Sequence, residues 1–149
     1  MKAKQIISLS EQINNSCVNT LYELTVLAAI QKNEGATISE MMGGTSASSE
    51  EQRKKHQRFS RVAKRLSKPT KKPSLPSCPA MVRYGKAKSS GLSGPDSRTL
   101  FLTARGKKEL SAFDLKKTYK GFEALSDALD KSCMNTLSEL AALVQIEQN

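Results

Sequence analysis

This sequence has no tryptophan, a single histidine (His56) and three cysteines among its 149 residues. One histidine and three scattered cysteines supply too few ligands for most metal sites and too few nucleophile–base pairs for hydrolytic catalysis. Cys17, Cys78 and Cys133 are odd in number, far apart and without a Cys-x-x-Cys spacing, which argues against a disulfide scaffold and against a zinc site. Phosphate-binding and dinucleotide-binding fingerprints are also missing. We therefore expect a protein that is not an enzyme, with no catalytic residues, no metal and no cofactor.

Long apolar runs are missing as well. No stretch approaches the roughly 18 consecutive apolar residues that cross a bilayer, and residues 1–8 turn polar too early for a signal peptide. A hydrophobic content of 38% with 26% charged residues is typical of a globular domain. We expect one cytoplasmic domain over residues 1–149 that does not enter a membrane.

The middle third of the chain lacks carboxylates. Residues 52–95 hold 13 lysines and arginines and no acidic residue, whereas residues 1–51 hold three cations and six carboxylates and residues 96–149 hold eight of each. Solvated protein faces usually mix both signs, and unanswered cations repel one another. This segment favours a polyanionic partner, nucleic acid above all. An acidic membrane surface is less favoured, because the segment lacks a large apolar face.

Apolar residues recur three and four positions apart over residues 6–30, which is the period of one helical face. Capping-box motifs, in which a hydroxyl and a carboxylate satisfy free amides of the first turn, occur at three places: Ser8-x-x-Glu11, Thr20-x-x-Glu23 and Thr37-x-x-Glu40. These signals predict helices over about 4–17 and 20–33 and a short helix over 38–42.

A fourth motif, Ser48-x-x-Glu51, predicts a long basic helix to about residue 67, with a buried stripe of Phe59, Val62, Ala63 and Leu66. A helix, a short helix, a glycine-containing turn and a long basic helix form a helix-turn-helix over residues 20–67. Base contacts are expected from the start of the long helix: Ser48, Ser49, Gln52, Arg53 and His56. Phosphate contacts are expected from its cations, with Gln57 on the same face: Lys54, Lys55, Arg58 and Arg61. The alternative is a helix that only grips phosphates.

Prolines shape the next segment. Pro69, Pro73, Pro76 and Pro79 exclude a helix and predict an extended connector over residues 68–80. The β-prone runs 81–84 and 99–102 flank a tip rich in glycine, serine and lysine, which predicts a hairpin over 81–102. Thr103 is expected to cap a helix, and helical spacing continues to the end of the sequence with a break near Gly121.

The end of this hairpin resembles the wing of MarR-type transcriptional regulators. Asp96-x-Arg98 and then Leu102-Thr103-x-x-Gly106 fall where that family has its wing tip and the start of the following helix. The resemblance covers about residues 20–110, although connector 68–80 is longer than the short turn common in the family. It implies a mainly α fold with a small β-hairpin (α+β), namely a winged helix-turn-helix with dimerisation helices at 4–19 and 105–149.

The resemblance also implies roles for the wing. Asp96 can hold the side chain of Arg98 in the rotamer that enters a narrow, strongly negative minor groove. Lys86 and Lys88 are expected to contact DNA beside it.

The cysteines need a separate interpretation. Cys17 falls where the peroxide-sensing branch of the family has its reactive thiol. However, Cys17 and Cys133 both lie on an apolar stripe, and a buried thiol is usually inert packing. Cys78, in the connector, is expected to be exposed and without a role.

The sequence contains an internal repeat. Residues 9–33 and 125–149 align without a gap at an offset of 116, with 12 of 25 positions identical, including the string Ser-Cys-x-Asn-Thr-Leu-x-Glu-Leu. Two amphipathic helices alike by chance would share leucines but not this string. The repeat indicates a partial duplication, the start of a second winged-helix unit, and a piece of a longer tandem protein would look the same.

These observations together predict a cytoplasmic, nucleoid-associated homodimer that binds double-stranded DNA and regulates transcription. Two alternatives remain open. One is a sequence-independent architectural, replication or partition protein that uses the same cations as a phosphate clamp. The other is a protein-interaction module that works through the duplicated helix pair.

Overall fold

A computed structural model describes residues 3–42, 50–72, 75–87, 98–113, 122–132 and 136–148. Over these residues the fold is mainly helical, with two small antiparallel sheets of two strands each. The helices are α1 (Ala3–Asn14), α2 (Leu21–Lys32), α3 (Ile38–Met41), α4 (Glu50–Leu66), α5 (Ala104–Ser111), α6 (Phe122–Lys131) and α7 (Leu137–Gln148). The strands are β1 (Thr70–Lys72), β2 (Leu75–Cys78), β3 (Val82–Ala87) and β4 (Arg98–Leu102). This content confirms the α+β class. None of the described helices has the length and apolar character needed to cross a membrane.

Several predicted features lie outside the described residues: Ser48, Ser49, Lys88, Asp96, Gly121 and Cys133.

The capping motifs account for most helix starts. The hydroxyl of Thr20 accepts a hydrogen bond from the amide of Glu23 at 3.1 Å, and the carboxylate of Glu23 accepts one from the amide of Thr20 at 3.1 Å. This complete capping box fixes the start of α2. Thr37 caps α3 through the amide of Glu40. Helix α1 begins at Ala3, close to the predicted start near residue 4, so Ser8 lies inside the helix and does not cap it.

The core is built around α2, whose residues Leu24, Leu27 and Ile30 are fully buried. Helix α4 packs on α2 and α3 through the predicted stripe, and Phe59, Val62, Ala63 and Leu66 are all buried. Strands β3 and β4 pair as the predicted antiparallel hairpin, and β4 and α5 also pack on α2. Thr103 caps α5 through the amide of Gly106 at 3.1 Å, as expected.

The proline-rich connector is not merely extended. The prolines exclude a helix as predicted, but β1 and β2 pair with each other as an antiparallel hairpin. This hairpin lies against the end of α1, where the ammonium of Lys72 donates to the carbonyls of Ile13, Ser16 and Val18 at 2.6, 2.8 and 2.8 Å. A lysine from a distant strand thus satisfies carbonyls at and beyond the end of a helix.

The packing of the β1–β2 hairpin against the end of α1 corrects two expectations about cysteine. Cys78 is buried, not exposed, and it forms a disulfide with Cys17 across 61 residues of sequence, with the two Cα atoms 5.5 Å apart. Pairing of β1 with β2 carries Cys78 back to the end of α1, and no local spacing in the sequence reveals such a pairing.

The internal repeat is reproduced by the structure. Helix α7 has the bounds of α2 shifted by 116 residues, and Thr136 accepts from the amide of Glu139 at 3.2 Å, just as Thr20 accepts from Glu23. The two helix pairs pack crosswise: α1 packs on α7, and α2 packs on α6. The hydroxyls of Ser10 and Ser138 meet at 3.3 Å in the first of these contacts.

Candidate nucleic-acid interface

Helix α4 separates a buried apolar stripe from a long cationic face. Because the buried residues recur every three or four positions, the intervening side chains point away from the core. The exposed predicted site residues on this helix are Gln52, Arg53, Lys54, Lys55, Gln57, Arg58 and Arg61. The helix therefore places all of these predicted contacts on solvent-accessible surface.

His56 differs from its neighbours because it is half-buried. Its Nε2 lies 3.3 Å from the hydroxyl of Ser39 on α3. This contact links the short helix to the long one at the edge of the cationic face. His56 is thus placed to help fix the angle between the two helices as well as to contact a ligand.

The first turn of α4 carries two carboxylates that face lysines one turn later. Glu50 lies 3.9 Å from Lys54, and Glu51 lies 3.9 Å from Lys55. All four side chains are at least 66% exposed, so each pair contributes only about 0.3–0.5 kcal/mol to helix stability. Such weak pairs yield readily to phosphate, and both lysines remain available to a polyanion.

Arg58 and Arg61 face a cavity of about 250 Å³ between α4, the start of α2 and the second helix pair. The guanidinium of Arg58 stacks on the ring of Tyr22 at 3.8 Å from its centroid. Thr20, Ser126 and Thr136 also line this cavity. Arg58 is therefore held at the flank of the cationic face, towards α6 and α7.

Arg98 is the first residue of β4, at the loop end of the β3–β4 hairpin, where it is exposed. Its guanidinium stacks on the ring of Tyr84 at 4.1 Å from the centroid, so Tyr84 orients it across the two strands. Lys86 is exposed on the neighbouring strand. The predicted contact between Asp96 and Arg98 involves a residue outside those described.

Sequence reasoning did not assign Arg83, which is exposed on β3 and stacks on Phe101 at 4.2 Å. Phe101 is its direct partner across the hairpin. Strand alternation puts this pair on the face opposite to that of the buried Val82 and Leu102. The alternation in the sequence could have shown that Arg83 points outward.

Sequence reasoning also missed a cationic cleft at the end of α4. The cleft is open, has a volume of about 390 Å³ and is lined by Arg61, Lys64, Arg65, Lys68, Pro69 and Thr70. It forms where β1 turns away from the helix. The cleft was not predicted, because residues 68–80 were expected to form only an extended connector. The run of cations that lines the cleft is nevertheless present in the sequence. The cationic surface therefore extends from Arg53 along the rest of the helix to Lys68.

Arg65 joins this surface to the interior. Its guanidinium lies 3.8 Å from the carboxylate of the buried Glu23, which also caps α2. Half of the Arg65 side chain is exposed. The ion pair ties the end of α4 to the start of α2.

Within the part of the chain that the structure describes, no three histidine, cysteine or acidic residues come together as a metal site would require. The arrangement of α4 and the β3–β4 hairpin instead offers cations, amides and stacked guanidinium groups to a ligand. No protein-family model, no curated protein and no solved structure matches this chain.

Proposed function

We propose that this protein is a sequence-specific double-stranded DNA-binding regulator of transcription that acts as a homodimer. In this proposal α2, α3 and α4 form the helix-turn-helix, and β3–β4 is the wing. The observation that carries it is α4, a helix of 17 residues whose buried stripe packs it on the core and whose exposed face offers cations from Arg53 to Arg65. A helix fixed in this way fits the major groove of B-DNA.

The side chains on α4 suit two kinds of contact. Gln52 and Arg53, in its first turn, are able to make bidentate hydrogen bonds to adenine and guanine edges. Lys54, Lys55 and Arg61 meet phosphates, which position the helix without reading sequence. Arg98, oriented by Tyr84, would enter the flanking minor groove.

A homodimer would present two such helices to successive major grooves about 34 Å apart and would favour a pseudo-palindromic site. The proposed location is the cytoplasm, in association with the nucleoid. The resemblance to MarR-type regulators supports these points through Asp96-x-Arg98 and Leu102-Thr103-x-x-Gly106.

The test begins with selection of bound fragments from random duplex DNA. Fluorescence anisotropy then compares the selected duplex with a random one at several salt concentrations. A regulator should prefer the selected duplex by about 10³-fold or more. A ratio close to one at every salt concentration would contradict the proposal.

A double variant tests the residues. Replacing Arg53 and Arg98 with alanine should abolish specific binding, since one reads the major groove and the other the minor groove. The matched control removes the same charge elsewhere, by replacing Lys4 on α1 and Lys131 on α6, both exposed. Unaltered affinity of the Arg53/Arg98 variant would point instead to a protein-interaction module built on the duplicated helix pair.

A sequence-independent phosphate clamp is the second candidate, and the cleft at the end of α4 favours it. Among the described residues that line this cleft, four are cations and none is a carboxylate. A clamp would show a steep salt dependence with little preference between duplexes. Replacing Lys64 and Lys68 with alanine should reduce the salt slope by about one per residue, and only under the regulator hypothesis should the specificity ratio survive this change.

A further inference from the structure

The duplicated helix pair exposes a face that its counterpart buries. Leu27 and Ile30 of α2 are 0% exposed, whereas Leu143 and Ile146, their equivalents at an offset of 116, are 54% and 72% exposed. Leu143 and Ile146 are also the exposed large hydrophobic residues among those that the structure describes.

Part of the duplicated pair keeps the contacts of its counterpart. Leu137 is buried like its equivalent Leu21, at 4% and 3% exposure, and the hydroxyl of Ser132 donates to the carbonyl three residues earlier just as that of Ser16 does. The large apolar residues that differ most between the two pairs, Leu143 and Ile146, lie on one side of α7.

The neighbours of α2 show what covers this side in the first pair. Helix α2 packs on α4, β4 and α5, which belong to the segment 34–113. The segment directly after α2 is itself held to β4, because the amide of Gly35 donates to the carbonyl of Leu100 and the amide of Leu100 donates to that of Ala36, both at 3.0 Å. We call residues 34–113, which contain α3, α4, α5 and the strands, the α3–α5 unit.

The acidic charge of the second helix pair also favours a basic partner like the α3–α5 unit. Residues 122–148 hold five carboxylates and one lysine, whereas the α3–α5 unit holds 17 cations and six carboxylates. In the first pair Arg65 of the unit lies 3.8 Å from Glu23. Glu139 is the equivalent of Glu23 in the second pair and is exposed.

We propose that the open face of α7 around Leu143 and Ile146 is a docking surface for a second basic unit of the α3–α5 kind. Such a unit would cover Leu143 and Ile146 in the way that α4, β4 and α5 of the first unit pack on α2. Its basic helix would bring an arginine to Glu139. The inference concerns protein association and stands whether or not α4 binds DNA.

The repeat itself supplies the probe. Asn149 occupies the position of Asn33, so a second copy of residues 34–113 joined directly after Asn149 follows α7 as the first copy follows α2. Hydrogen exchange should show the amides of α7 slowed by roughly tenfold or more in this extended chain, approaching the protection of α2. Exchange as fast as in the unextended protein would overturn the proposal.

Two variants complete the test. Replacing Leu143 and Ile146 with serine should remove the added protection from the extended chain, whereas Gln148→Ser, on the exposed equivalent of Lys32, should leave it in place. In the unextended protein the double variant should change neither the melting temperature nor the sedimentation coefficient. If the double variant converted a dimeric unextended protein to a monomer, a second copy of the chain would already cover this face. That result would overturn the proposal even if the extended chain failed to fold.

Discussion

Gly106 shows how one residue without a side chain controls the position of a helix. A Cβ atom at this position would lie 2.1 Å from the carbonyl oxygen of Met81, which is backbone and unable to rotate away. Met81 is held there from two sides, since its amide donates to Leu66 at 2.9 Å and its carbonyl accepts from Thr103 at 3.0 Å. The Leu-Thr-x-x-Gly motif thus has a physical reason: threonine caps α5, and glycine lets α5 approach β3.

We predict that Gly106→Ala lowers the free energy of unfolding by about 1–3 kcal/mol, because overpacking against backbone outweighs the higher helix propensity of alanine. Urea denaturation measures the change. Lys108→Ala, at an exposed position of the same helix, should stay within about 0.5 kcal/mol of the parent. A Gly106→Ala protein as stable as the parent would show that α5 moves freely from Met81.

Lys72 links charge to stability at the end of α1. Burial lowers its pKa from the usual 10.5, against the opposing effects of Glu23 and Glu109. Because the unfolded chain then binds this proton more tightly than the folded chain, the contribution of Lys72 to the free energy of unfolding rises with pH between the lowered pKa and 10.5.

We predict that Lys72→Met destabilises the protein by about 1–3 kcal/mol at neutral pH, since three carbonyls lose a charged donor. The loss should grow as the pH rises towards the ordinary lysine pKa, because the variant lacks the favourable pH dependence of the parent. Urea denaturation of both proteins over this pH range checks the sign. A difference between the two proteins that shrinks with pH would contradict the assignment.

At the scale of elements, the β1–β2 hairpin is attached to the helical body at two points. One is Lys72 and the other is the disulfide between Cys17 and Cys78. The guanidinium of Arg105 lies 3.2 Å from the sulfur of Cys17 and 2.8 Å from the carboxylate of Glu109. Hairpin, α1 and α5 therefore meet at one charged and sulfur-containing junction.

We predict that Cys78→Ser lowers the free energy of unfolding by about 2–4 kcal/mol, because the bond closes a long loop in the unfolded chain. Reduction of the parent protein with a thiol reagent should lower its melting temperature to a similar extent and leave the variant unchanged. Peptide mapping without reduction should recover Cys17 linked to Cys78. If reduction left the melting temperature of the parent protein unchanged, a structural role for this disulfide would be excluded.

At the scale of the whole molecule, the two repeated helix pairs pack on each other: α1 contacts α7, and α2 contacts α6. Crosswise packing places Leu9 and Ile13 of α1 in the core of a single chain, where α1 packs on α7. In our sequence-based hypothesis the same stripes were assigned to a dimer interface. The intramolecular contact already buries Leu9 and Ile13, so these two residues are not available to a partner subunit.

The repeat allows a matched pair of substitutions. We predict that Leu27→Ala lowers the free energy of unfolding by about 2–5 kcal/mol, because it leaves a cavity in the core. Leu143→Ala, at the equivalent and exposed position, should cost no more than about 0.5 kcal/mol. Thermal and urea unfolding of both variants compare them directly, and equal losses would mean that α7 is covered in solution.

Local signals in the sequence determined the helices and their starts. A hydroxyl three residues before an acidic residue caps α2 and α3 because the contact spans a single turn, and the stripe of α4 follows from the helical period. The exposed cations of α4 were predictable for the same reason. The hairpin β3–β4 followed from its alternating strands and polar tip.

Contacts between residues distant in sequence were decided by the tertiary structure alone. The pairing of Cys17 with Cys78, the capping of α1 by Lys72 and the cleft beside Lys68 all depend on where the β1–β2 hairpin folds back. Likewise, the repeat predicted a second helix pair, but only packing in three dimensions showed that α7 buries Leu137 and leaves Leu143 open. Capping and periodicity act within a turn or two of backbone, whereas burial depends on which distant element covers a face.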